Sequence, residues 1–200
     1  MKIFRINRLP DTWTPEISAA LEREDAPSPD ILPVSLMPDS SLVLKGNPVF
    51  LPDFAEKDDT WRFHIVPVFR IGRLGKFISP RFAYRYVDAV AAGAVLMSGN
   101  AEHKSALCSC FDGALTVGPW QDAPDIDGNI SIHAGGSDTT LSPNEMHVAD
   151  TVALLSRFAT LRTGDIIIPC LTRISFPAVI GTNIEICIAG APTAGRLRVK

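Results

Sequence analysis

The chain has 200 residues, 46% of them hydrophobic and 20% charged, with a formal net charge of −3 at pH 7. Such a chain can bury one sizeable core, and its weak acidic balance excludes the long-range attraction on which nucleic-acid and membrane-surface proteins rely. The opening MKIFRINRLPDTW lacks the apolar run of a secretory signal, and no later segment reaches ~18 uninterrupted apolar residues, so a cytoplasmic protein is expected.

In chain order, residues 1–48 are punctuated by proline (Pro10, Pro15, Pro27, Pro29, Pro33, Pro38, Pro48). They hold one acidic stretch, 15-PEISAALERED-25, that predicts a helix, and together they suggest a small N-terminal lobe. Residues 49–200 form the core domain. In 61-WRFHIVPVFRI-71, Phe63, Ile65, Pro67, Phe69 and Ile71 alternate with His64, Val66, Val68 and Arg70, the period of a half-buried strand. A helix is expected over 79–93, where Ser79 caps, Pro80 takes the first position, Phe82, Tyr86, Ala89 and Val90 share a face, and Gly93 stops it. A second helix is expected over 142–165, with Ser142 and Glu145 as a capping box and Val148, Val152, Leu155 and Ala159 along its apolar face. Strands follow at 165–170, 184–189 and 196–200. The fold class is therefore α+β, a β-rich core of mixed sheets in a sandwich or roll, with two flanking helices.

Four cysteines, Cys108, Cys110, Cys170 and Cys187, read as free, mostly buried thiols in a reducing compartment. Cys108 and Cys110 would lie on one side of a strand.

The order of the runs 76-KFISPRFAYRYVDAVAAG-93, 111-FDGALTVGPW-120 and 154-LLSRFATLRTGDIII-168, with 35-SLMPDSSLVL-44, resembles the fumarylacetoacetate hydrolase family over nearly the whole chain. The resemblance implies the family's β-rich fold, a homodimer, and hydrolase, isomerase or decarboxylase chemistry on β-diketo acids. It also implies magnesium, calcium or manganese held by an E-x-E pair and an aspartate, since hard cations need anionic oxygen ligands.

Those ligands are missing here. The two glutamates align with His64 and Val66, and the aspartate with Val95. The family's lysine before F-D becomes Ser109, and the lysine of K-P becomes Met37. The N-terminal tyrosine and histidine fall near Pro10 and Trp13, the T-G-T-P loop becomes 169-PCLTR-173, and the hairpin N-G becomes Ala134-Gly135. Neither Asp88 nor Glu102 falls where it would substitute. Scaffold signals (Ser79-Pro80, Gly93, Phe111-Asp112, Gly118-Pro119, Met146, Gly164-Asp165) are kept while charged pocket groups are lost. The expectation is an inactive homologue with no catalytic residue and no metal or other cofactor, kept as a dimerising structural or small-molecule-binding protein, with an active paralogue as a further candidate partner.

Other readings stay open. A rebuilt hydrolase or isomerase site would centre on His64, the best titratable group left. His64 with Cys108 and Cys110 offers imidazole and thiolates to zinc. Cys108 or Cys110 could act as nucleophile with His64 or His103 as base. Asp112 reads as ordering a turn. Arg62, Arg70, Arg73, Arg81 and Arg85 read either as the trace of an anion site or as a solvated face.

Overall fold

A computed structural model describes residues 1–22, 28–44, 46–52, 60–99, 105–122 and 128–200. The part of the first predicted helix beyond Glu22, together with Glu102 and His103, lies outside the described residues.

The larger of two sheets holds β1 (Ile3–Ile6), β2 (Val34–Met37), β3 (Trp61–Ile71), β4 (Val87–Ser98), β5 (Leu115–Val117), β6 (Gln121–Asp122), β9 (Ile166–Ile168) and β10 (Ser175–Pro177). Its order is β2-β1-β9-β3-β4-β5, with β10 also pairing β3 and β6 pairing β4. The smaller sheet takes β7 (Ile130–Ala134), β8 (Ser137–Leu141), β11 (Asn183–Ile188) and β12 (Gly195–Arg198) in the order β12-β11-β7-β8. Among the described residues three α-helices accompany them: α1 (Pro15–Glu22), α2 (Pro143–Met146) and α3 (Val148–Phe158). Both strands of the first fifty residues belong to the larger sheet: β1 runs antiparallel to β2 and parallel to β9.

The strand read over 61–71 is β3, with those bounds. The helix read over 79–93 is replaced by a 3-10 turn, Pro80–Arg85, and then by β4. Ser79 makes no side-chain cap bond there, although Pro80 does open the turn. The apolar residues from Val87 to Leu96 fill both faces of an interior strand, and a strand buried on both sides reads as a continuous apolar run with no distinguishing period. Pairing with β3 runs from Trp61↔Ser98 to Ile71↔Val87.

Gly93 is thus a mid-strand residue and stops no helix. A Cβ there would stand 2.5 Å from Val68 Cγ2 and 3.2 Å from the Thr116 carbonyl oxygen. Gly93→Ala is therefore expected to cost about 1–3 kcal/mol through overpacking, read as a fall in the urea midpoint at unchanged slope. An unchanged midpoint would contradict this contact.

The second predicted helix forms in two pieces and ends at Phe158, short of 165. His147 adopts a left-handed conformation (φ 49°) between α2 and α3. At the start of α2, Ser142 donates both its N–H and its hydroxyl to the Glu145 carboxylate, each at 2.8 Å. The hairpin turn lies one residue later than expected. Gly135 and Gly136, both at positive φ, make the two-residue turn, and buried Ala134 ends β7.

The larger sheet divides the apolar interior. One face, with Phe4, Ile6, Phe63, Ile65 and Phe69, packs against the smaller sheet and α3. The other carries a separate cluster of Ile3, Met37, Val66, Val68, Val95, Cys110, Leu115, Ile166 and Ile168. Where the two sheets meet, Gly118 and Gly195 permit close approach, since a Cβ on Gly195 would lie 2.8 Å from Gly118 Cα.

Candidate functional site

Alternation along β3 and β4 sends His64, Val66 and Val95 to the second, smaller cluster, with His64 directly across from Val95. Met37, across from Ile3 on β1, joins the same cluster. Ser109 follows a 3-10 turn, Ala106–Cys108, rather than lying on a strand, and reaches this region through Arg5. Met37, Val66 and Val95 thus share one cluster, His64 lies across from Val95, and Ser109 is bonded to Arg5. Val66 and Val95 are 0% exposed and Met37 1%, so three of the five contribute hydrocarbon to a packed layer.

These residues do not fit a hard divalent cation. Valine has no donor atom, and a magnesium-type ion requires oxygen ligands that the three aligned positions do not offer. Among the described residues, no three or more His, Cys, Asp or Glu side chains group so as to hold a metal. This also corrects the zinc reading, because His64, Cys108 and Cys110 form no such group.

A cation belonging to the chain itself lies on this face. Arg5 is 1% exposed. Its Nε donates to Asn7 Oδ1 (2.7 Å), Nη1 to the Ser109 carbonyl (3.2 Å), and Nη2 to Ser109 Oγ (2.7 Å) and Ser35 Oγ (3.4 Å). No carboxylate is among these partners, and burial lowers the guanidinium's pKa, opposed by the adjacent Cys110 thiol. Sequence reasoning missed this residue. The available signal was an arginine within the apolar strand 3-IFRI-6.

His64 is half-buried. Burial pulls its pKa below the ordinary value, and Arg62 and then Arg5 pull it further. The unfolded chain takes up this proton near pH 6.5, whereas the folded chain resists it, so His64's contribution to stability is present above that pH and is lost on acidification. His64→Gln should therefore flatten the loss of stability between about pH 7 and pH 5, measured by urea midpoints at each pH. Equal slopes for both proteins would contradict the assignment.

Of the candidate arginines, Arg73 is exposed and the other four have structural partners. Arg70 pairs with Asp88 (2.8 Å), Arg81 and Arg85 lie over the Phe82 ring, and Arg62 donates to Ser175 Oγ. Asp112 accepts from the Ser40 hydroxyl while the Gly113 N–H donates to the Ser40 carbonyl, which is the turn-ordering role expected. All four cysteines are free, with Cys110 and Cys170 buried and Cys108 and Cys187 half-buried. Burial pushes the Cys170 thiol up to about 12, so it carries no thiolate at neutral pH.

Near the chain start, Trp13 stacks on His147 at 4.2 Å, and its indole N–H donates to Ser18 Oγ at 3.0 Å. Arg8, buried, donates to the carbonyls of Glu145 and Met146. Beside it a cleft of about 610 Å³ is lined by Asn7, Arg8, Thr12, Glu16 and Ile17, among others, and does not include His64.

A family model described as fumarylacetoacetate (FAA) hydrolase C-terminal matches residues 14–169. No curated protein sequence matches the chain. Among solved structures, a fumarylpyruvate hydrolase from Pseudomonas aeruginosa in complex with Mn2+ and pyruvate is similar with a TM-score of 0.75 and 20% identity. That match covers 100% of this chain and 89% of the other. A maleylpyruvate hydrolase from Sphingobium sp. SYK-6 has a TM-score of 0.75 at 19% identity, covering 99% of this chain and 70% of the other. A 5-carboxymethyl-2-hydroxymuconate delta-isomerase from Mycobacterium smegmatis has a TM-score of 0.77 at 17% identity, covering 99% and 78% respectively. At such identities the likeness establishes the fold alone.

Proposed function

The chain belongs to the fumarylacetoacetate hydrolase family, and from that premise we propose that it is a catalytically silent member, kept as a dimerising protein that binds a small molecule without metal. The observation that carries this reading is the packed layer at the aligned positions. Where the resemblance places two glutamates and an aspartate stand His64, Val66 and Val95, and the two valines are fully buried.

Chemistry on an acylpyruvate needs charge stabilisation as electrons move onto its oxygens. Valine and methionine supply neither a Lewis acid nor a hydrogen-bond donor, and the one buried cation described on this face, Arg5, is engaged by Asn7, Ser109 and Ser35. Ser109 Oγ, at the lysine position, is engaged by Arg5. The protein retains the family's scaffold and presents a different surface to a ligand.

Calorimetric titration of the chain with Mg2+ and with Mn2+ tests this. No binding at millimolar metal is expected, and sedimentation should give twice the chain mass. Stoichiometric Mn2+ binding in the micromolar to millimolar range would overturn the proposal, and a monomer would remove its dimeric part.

A further inference from the structure

We propose that Cys187, His133 and Asp138, in a row across the outer face of the smaller sheet, form a peroxide-reactive thiol site. It lies apart from the layer around Val66 and Val95 and does not depend on what that layer binds.

Strand register sets the row. Cys187 on β11 stands opposite His133 on β7, and His133 stands opposite Asp138 on β8. Directly opposed residues project to the same face of an antiparallel pair, with Cβ atoms ~5 Å apart, so the three side chains are neighbours in that order. The alternate residues Ile132, Ala134, Ile186 and Ile188 are buried in the core, which turns the row outward. His133 and Cys187 are half-buried, and Asp138 is exposed.

His133 Nδ1 and Asp138 Oδ1 are 2.8 Å apart. A carboxylate only accepts, so Nδ1 carries the proton and donates it, and the neutral ring keeps its lone pair on Nε2. Nε2 lies on the flank of the ring away from Nδ1, hence away from β8 and toward β11. The order is that of an activated thiol: nucleophile, base, and an acid that orients the base. No hydrogen bond joins Cys187 Sγ to the ring among the described residues, and such contacts commonly tighten only once a reactant is present. The three side chains are not drawn together closely enough to hold a metal ion, so the row supports covalent chemistry of the thiol rather than coordination. Glu185 and Arg196, on the same face, are paired with each other at 3.3 Å and leave His133 as the base nearest Cys187.

An open sheet face offers no walls to a large substrate, and the cleft beside Arg8 does not include these residues. The reactant must be small enough to need no pocket, as hydrogen peroxide is. Cys187 passes its proton to His133 Nε2, and the sulfur attacks one peroxide oxygen. The S–O bond forms as the O–O bond breaks, and the second oxygen leaves as hydroxide and takes that proton to become water. The sulfur ends as a sulfenic acid, oxidised by two electrons, and the peroxide is reduced by two.

Cys108 supplies an internal control. It is half-buried like Cys187, but it ends a 3-10 turn rather than facing a histidine across a sheet. Limiting hydrogen peroxide followed by dimedone trapping and peptide mass mapping of the full chain should label Cys187 at least about tenfold faster than Cys108. His133→Gln should slow Cys187 labelling about tenfold or more. Asp138, a positioning residue, acts through His133: Asp138→Asn should slow labelling about threefold or more, and Asp138→Glu, which keeps the acceptor, should restore most of the rate. Cys108 labelling should stay unchanged in each. Should a variant fail to fold, the ratio of Cys187 to Cys108 labelling in the unaltered chain decides alone. Equal labelling of the two thiols, labelling of neither, or a Cys187 rate that His133→Gln leaves unchanged would overturn the proposal.

Discussion

Asp165→Ala should lower stability by about 3 kcal/mol, one of the largest effects of any single polar substitution in the chain. The Asp165 side chain is buried, and its carboxylate receives three contacts: the Lys2 N–H at 2.8 Å, the Arg162 N–H at 2.8 Å and Lys2 Nζ at 2.6 Å. The first two come from backbone groups that would otherwise be left without partners where β1 enters its parallel pairing with β9. Lys2 is 30% exposed, so its charge contributes modestly, and Lys2→Met should cost about 1 kcal/mol or less. Urea unfolding of the two variants checks this. Equal losses for Asp165→Ala and Lys2→Met would mean that the ion pair, rather than the backbone bonds, anchors the strand.

The second large effect is expected from Val66→Glu, which returns one family-type carboxylate to the sheet. At a 0% exposed position in a packed cluster, the added carboxylate must be desolvated and accommodated, at a cost of about 3 kcal/mol or more. Val66→Thr, of similar size, should cost about 1–2 kcal/mol. Millimolar Mn2+ should not restore the Val66→Glu midpoint, because one carboxylate beside His64 and Val95 does not make a ligand set. Full recovery with Mn2+ would show that the remaining groups still form a metal site.

The sequence displayed those parts of the fold whose local signals agree with their tertiary setting. β3 alternates because one of its faces carries His64 and Arg70, both half-buried, and its bounds were legible to the residue. The capping box before α2 was legible because Ser142 and Glu145 satisfy each other locally. β4 was not, because an alanine-rich strand buried on both faces has no period of its own, and its identity comes from its long pairing with β3. The break at His147, with Trp13 stacked on it, likewise depends on a residue distant in sequence.

The candidate site divides in the same way. Strand alternation puts His64, Val66, Val95 and Met37 on one sheet face, whereas Ser109 follows a 3-10 turn off the sheet. Arg5 could not be found by that route. Its importance lies in being buried without an acid and bonded to Ser109, 104 residues away, which depends on how the 105–110 segment lies over β1.

The central claim is that the family's chemistry is absent, and turnover tests it most directly. Purified protein in saturating Mn2+ should hydrolyse an acylpyruvate no faster than buffer with Mn2+ alone. A protein-dependent rate that EDTA abolishes and Mn2+ restores would contradict the account.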